Sequence, residues 1–176
     1  PITNDNEEKE RVAYHEIMQH LLTNKPNNES EFWSQQLQHI NQLIIPSKNQ
    51  QVERHAAVDN ILEFSLSEEL TKQLIDLSKK YRNTMNSVVQ AIWSLAQTAL
   101  TGNKYICYGV TSSGRNVSIP NIDSVVGLFI NTLPFLIEID EEMNLSELLQ
   151  MIQTKQLELR EYEYSTLADI KRFAKV

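Results

Sequence analysis

Apolar positions at helical spacing open the chain. Val12, Tyr14, Ile17, Met18, Leu21 and Leu22 define an amphipathic helix that ends near Asn24-Lys25-Pro26, after a polar stretch over residues 1–10. Ser30 is a suitable cap for a second helix with Phe32, Trp33, Leu37 and Ile40 on one side. The polar, Pro46-broken segment 41–54 predicts a loop, and Val58 to Leu66 a strand with Ile61, Phe64 and Leu66 as its apolar members. Ser67 then caps a helix that turns Leu70, Leu74 and Leu77 inward. Thr84 caps another, from Met85 to about Thr101, apolar around most of its circumference and so expected at the centre of the fold; Gly102 closes it. Strands follow at 104–112 and 128–139, then a helix from Asn144 or Ser146 to about Glu161 and a last one over 166–174. The order of helices and strands makes the chain α/β or α+β.

The two apolar strands flank Ser113-Gly114-Arg115 and a loop closed by Pro120. Their character is that of strands buried on both faces, in a sheet flanked by helices. Asn131-Thr132 interrupts the second run. A polar side chain there must either bond to neighbouring backbone or face a cavity, and both readings stand at this level.

Composition narrows the field. With 176 residues, 41% of them hydrophobic, the chain can bury a substantial core, and 4 Gly with 5 Pro favour regular elements. A formal charge of −7 and no basic patch argue against a nucleic-acid surface. No run of about eighteen apolar residues is present to span a membrane, and no targeting signal is visible. The single Cys107 has no internal disulfide partner, suiting a reducing cytoplasm, and reads as a core thiol. The glycines form no phosphate loop, and His15, His20, His39 and His55 lack metal-ligand spacing.

One segment imitates a catalytic motif. His55-Ala56-Ala57-Val58-Asp59 has the H-x-x-x-D spacing of the second half of the HHxxxDG motif of acyltransferases. Arg54 stands for its first His and Asn60 for its Gly, and the segment leads into an expected strand. It reads as a loop-to-strand junction.

Val125-Val126-Gly127-Leu128-Phe129-Ile130-Asn131-Thr132-Leu133-Pro134, preceded by Ser113-Gly114-Arg115, resembles the late core motif of condensation domains of non-ribosomal peptide synthetases. Tyr14-His15-Glu16, the Phe32-Trp33…Leu37 helix and Leu159-Arg160-Glu161-Tyr162-Glu163-Tyr164-Ser165 to Ile170 are similar to further segments of that family, so the likeness spans residues 12–174. It implies a chloramphenicol acetyltransferase-like lobe with a mixed central sheet flanked by helices, the C-terminal one of two. Residues 1–11 would be a lead-in from the N-terminal lobe, and 12–176 the C-terminal lobe. The general-base His of HHxxxDG is expected in that other lobe, leaving this one inactive alone and without a catalytic side chain or metal. The family joins a carrier-bound acyl or peptidyl thioester to a carrier-bound aminoacyl amine, forming an amide in a tunnel reached by phosphopantetheine arms. The implied partners are the N-terminal lobe, upstream and downstream peptidyl carriers and an adjacent adenylation domain; no cofactor binds the lobe directly. Asn131 is expected on the tunnel wall, donating to a substrate carbonyl or positioning the amine, with Ser113 and Arg115 in or beside the neighbouring loop, Arg115 in a structural ion pair or a substrate contact, and Gly127 allowing close backbone approach or a bulge at the strand start. A heterocyclisation, epimerisation or ester-forming relative and a non-catalytic carrier-docking module are the competing readings.

Overall fold

The computed structural model describes residues 4–42, 63–116, 119–120 and 122–176, with side chains from Tyr14 onward. Eight regular elements lie among them: α1 (Asn4–Thr23), α2 (Glu29–Gln36), α3 (Glu68–Lys80), α4 (Met85–Thr101), β1 (Tyr105–Ser112), β2 (Asn131–Glu138), α5 (Leu145–Arg160) and α6 (Leu167–Ala174). β1 and β2 pair in a two-stranded sheet. Thr111 lies opposite Thr132 and Tyr108 packs on Phe135, an antiparallel register.

The chain divides into two units. The first comprises residues 1–41, 107–136 and 155–176, and the second 42–106 and 137–154. In the first, α2 packs on α6. Trp33, Leu37, Leu159, Tyr162 and Ile170 are buried there, and Ser34 Oγ donates to the Phe173 carbonyl at 3.3 Å. Thr166 caps α6 by accepting from the Asp169 amide at 3.1 Å. Lys25 donates to the Asp169 carboxylate at 2.9 Å, and this bond, with that of Thr166, holds the carboxyl below its ordinary range. In the second unit, Leu148, Leu149 and Ile152 of α5 are buried, as are Val88 and Ala91 of α4 and Ile137 and Ile139. Asn83 Nδ2 donates to the Leu149 carbonyl at 3.1 Å.

Capping residues behave as their chemistry requires. Ser67 accepts from the Leu70 amide, Thr84 from the Ser87 amide, and Gly102 ends α4 at φ +66°. Asn144 and Glu147 exchange backbone-to-side-chain bonds at 2.9 and 3.1 Å, a capping box that fixes the start of α5.

Several expectations need correction. α1 starts at Asn4 and so includes most of the polar stretch before Val12; acidic residues suit a helix N-terminus, where the dipole favours them. Ser30 lies inside α2, whose N-cap is Asn28, because Glu29 turns inward to meet Ser165. Residues 63–66 are not strand, and Phe64 and Leu66 are exposed; 58–62, the loop 43–54 and the His55–Asp59 segment lie outside the described residues. Leu70 is exposed on α3. α4 does not bury its apolar residues all round: Ser87, Gln90 and Ser94 face inward, while Val89, Ile92, Trp93 and Leu100 are exposed. The sheet among the described residues has two strands, and β2 begins three residues later than expected, for a reason that lies in its neighbours.

Cys107 is partly buried, and desolvation pushes its thiol from 9.0 up to about 11, against a hydrogen bond with the Phe135 backbone that pulls it down. Alkylation by iodoacetamide should therefore rise to half its maximum near pH 11 and run about a hundredfold slower at pH 8 than for a free thiol; a midpoint at or below 9 would contradict the burial. A thiol that ionises more readily unfolded than folded contributes stability fully present below about pH 9 and lost as pH rises toward 11.

Candidate functional site

Four separated stretches meet in the first unit: α1 around Tyr14, the turn 112–116, the segment 122–131, and 163–165 after α5. Arg115 is the first tie. Its guanidinium donates to the carbonyls of Ile122 and Val125, the latter at 3.0 Å, reaches that of Gly127 at 3.5 Å, and lies 4.4 Å over the Phe129 ring. Tyr14 is the second, its hydroxyl donating to the Leu128 carbonyl at 2.9 Å and its ring meeting Phe129 edge-on at 5.1 Å. These donors occupy the carbonyls that a longer β2 would need for a ladder. The segment before Asn131 is consequently a strapped loop. Beneath it Leu21, Ile122 and Phe129 form a buried cluster.

Two glycines are dictated by this packing. Gly114 sits at φ +66°, and a Cβ there would stand 1.9 Å from the Phe129 carbonyl oxygen. At Gly127 a Cβ would fall 2.1 Å from the Tyr14 ring, so the close approach expected of this residue is made by an aromatic side chain.

Segment 163–165 supplies the third tie. Glu163 is 1% exposed, and its carboxylate accepts from the Ser112 hydroxyl, from the Asn116 amide at 3.3 Å and from Asn116 Nδ2 at 3.4 Å. The Tyr164 hydroxyl donates to the Gly114 carbonyl, and burial pushes it up to about 12, with the Glu163 charge adding to the rise. Ser165 accepts from Trp33 Nε1 at 2.8 Å and donates to Glu29 at 2.5 Å.

Asn131 joins these parts. Its Nδ2 donates to the carbonyls of Glu163 at 2.9 Å and Ser165 at 3.0 Å, while Oδ1 accepts from the Thr132 amide at 2.9 Å. Two carbonyls on one side and an N–H on the other leave a single consistent orientation of the carboxamide. Both of its protons are committed, and the second lone pair of Oδ1 is its remaining capacity. Val126, Leu128 and Ile130, alternate residues of the approach to Asn131, are exposed.

Of the four expected site residues, the structure thus gathers Asn131, Arg115 and Gly127 around one loop. Arg115 contacts backbone and a ring, not a carboxylate. Ser113 Oγ accepts from the Arg115 amide at 3.3 Å within its own turn, and its neighbour Ser112 makes the long-range contact. Glu163 and Tyr164 went unassigned in the sequence, where a Glu between helices reads as surface. A cleft of about 300 Å³ beside the network is lined by Asn24, Lys25, Asn116, Arg160, Tyr162 and Tyr164 among others; Glu163 does not line it. Among the described residues no group of three or more His, Cys, Asp or Glu could hold a metal ion, and no helix is long and apolar enough to cross a membrane.

A family model described as Condensation domain matches residues 4–176. Tyrocidine synthase 2 of Brevibacillus parabrevis is 33% identical over 140 residues, 80% of this chain and 4% of its own length. Bacitracin synthase 3 of Bacillus licheniformis is 29% identical over 166 residues, 93% of this chain and 3% of its own length. The chain therefore spans a few per cent of such relatives. In a crystal structure of a four-domain nonribosomal peptide synthetase bound to AMP and glycine, a match with TM-score 0.67 and 19% identity covers 85% of this chain and 11% of that one. At that identity the likeness is one of fold, an arrangement of helices with a small sheet in the α/β class expected from the sequence.

Proposed function

The chain belongs to the condensation-domain family, and from that premise we propose that it is the C-terminal, acceptor-side lobe of a non-ribosomal peptide synthetase condensation domain, residues 12–176 forming the lobe proper. The amine of an aminoacyl thioester on the downstream carrier attacks the acyl or peptidyl thioester on the upstream carrier. The C–N bond forms, the C–S bond breaks, and the upstream phosphopantetheine thiol leaves. The His of an HHxxxDG motif in the N-terminal lobe takes the amine's proton and passes it to the departing sulfur, so this lobe is inactive alone. Its partners are that lobe, the two carriers and the adjacent adenylation domain, and the phosphopantetheine belongs to the carriers.

The observation that carries this reading is the fixed carboxamide of Asn131. With both protons held by the carbonyls of Glu163 and Ser165, it serves the reaction as an acceptor. The free lone pair of Oδ1 takes an N–H of the incoming amine and aims its nitrogen at the thioester carbon. Exposed Val126, Leu128 and Ile130 supply apolar wall on the approach. Ser113, Arg115 and Gly127 contribute by holding that wall in place. Positioning of two tethered reactants accounts for much of the rate of such a transfer, so a lobe without a base still matters.

In the intact domain with both carriers loaded, Asn131→Ala should lower the rate of amide formation by about tenfold or more while the circular dichroism spectrum is unchanged. Unchanged turnover would remove Asn131 from the site. A parent protein whose preceding segment carries DxxxxD would be a heterocyclisation relative, and one with neither motif a docking module without chemistry.

A further inference from the structure

We infer that Glu163 is a positioning residue, whose carboxylate locks segment 163–165 against the turn 112–116 and so sets which atom of Asn131 faces outward. The inference rests on the reading of Asn131 just given. Three donors converge on two carboxylate oxygens: the Ser112 hydroxyl and Asn116 Nδ2 on one, the Asn116 amide on the other. Asn116 supplies an obligate donor to each oxygen, its amide to one and Nδ2 to the other, so a Gln at this position would turn an NH2 group against a donor either way. Burial raises the stakes, since a group 1% exposed has no water to replace a lost partner.

The coupling to Asn131 runs through the backbone. The carbonyls of residues 163 and 165 hold the Asn131 amide protons. They keep their place because the intervening side chains are anchored on three different elements: Glu163 on the end of β1 and its turn, Tyr164 on Gly114, and Ser165 on Trp33 and Glu29 of α2. Of these anchors only the Glu163 carboxylate ties the segment to both ends of the turn 112–116. It is walled off from the cleft beside it, so it acts on chemistry through Asn131 and touches no ligand.

The test uses the intact condensation domain with loaded carriers. Glu163→Gln should lower kcat for amide formation about tenfold and leave KM for the acceptor carrier within about twofold. In an Asn131→Ala background the same change should cost less than about twofold, because the residue it acts through is gone. Equal losses in both backgrounds, a loss in KM alone, or unchanged kcat would overturn the inference. If Glu163→Gln does not fold, Ser112→Ala removes one donor and keeps the carboxylate; an approximately threefold fall in kcat is expected, and no fall overturns the inference. If the unmodified domain forms no amide, the reading of Asn131 fails on its own. Glu163 is then judged by proton exchange at the Asn131 carboxamide, expected about tenfold faster in Glu163→Gln and overturned by an unchanged rate.

Discussion

Gly114→Ala is expected to destabilise the chain by at least about 3 kcal/mol. The left-handed conformation at φ +66° costs an alanine roughly 1–2 kcal/mol by itself. The larger part is steric. The Phe129 carbonyl oxygen, 1.9 Å from the new Cβ, is backbone and has no rotamer to escape into. The turn must move off the loop, taking with it the Tyr164 bond to the Gly114 carbonyl and the Arg115 clamp. Gly102→Ala separates the two terms, since that residue has the same φ with nothing within 4 Å. Its loss should be about 1 kcal/mol, the conformational term alone. Urea midpoints at constant slope measure both changes, and equal losses would mean the turn is free to relax.

Trp33→Ala comes next, with an expected loss of about 4 kcal/mol. The indole is fully buried, meets Phe32 and Tyr162 edge-on at 5.1 and 6.4 Å, and donates to Ser165 at 2.8 Å. Truncation leaves a large cavity where α2 meets the 162–165 segment and strips Ser165 of a donor. Trp33→Phe retains most of the volume and should cost about 1–2 kcal/mol, chiefly the lost N–H. Chemical denaturation of the pair decides the matter: an alanine variant no less stable than the phenylalanine one would show that volume is not what Trp33 supplies.

Local chemistry was legible at several helix ends, though not at Ser30, which yields the cap of α2 to Asn28. Ser67 and Thr84 cap as hydroxyls before an amphipathic run should, and Gly102 ends its helix. Direction was harder to read. α4 is rich in apolar residues, yet periodicity cannot say which side faces in, and Ser87, Gln90 and Ser94 are buried beside Val88 and Ala91 while Val89, Ile92 and Trp93 are exposed. Ser94 satisfies itself by donating to the Gln90 carbonyl at 2.7 Å, which makes an inward serine inexpensive. The start of β2 was hidden for another reason. An apolar run such as 125–130 looks like strand until one knows that Arg115 and Tyr14, distant in sequence, claim its carbonyls. Asn131 was visible as a polar anomaly and Ser113, Arg115 and Gly127 as motif members, but the partners of Asn131 are backbone carbonyls at Glu163 and Ser165, whose burial no local pattern announces.

Asn131 reads its neighbours by their carbonyls, which every amino acid carries. That makes the two contacts to residues 163 and 165 indifferent to side-chain identity, so long as the backbone path survives. The carboxylate of Glu163 has no such latitude, because its three donors specify charge and reach together.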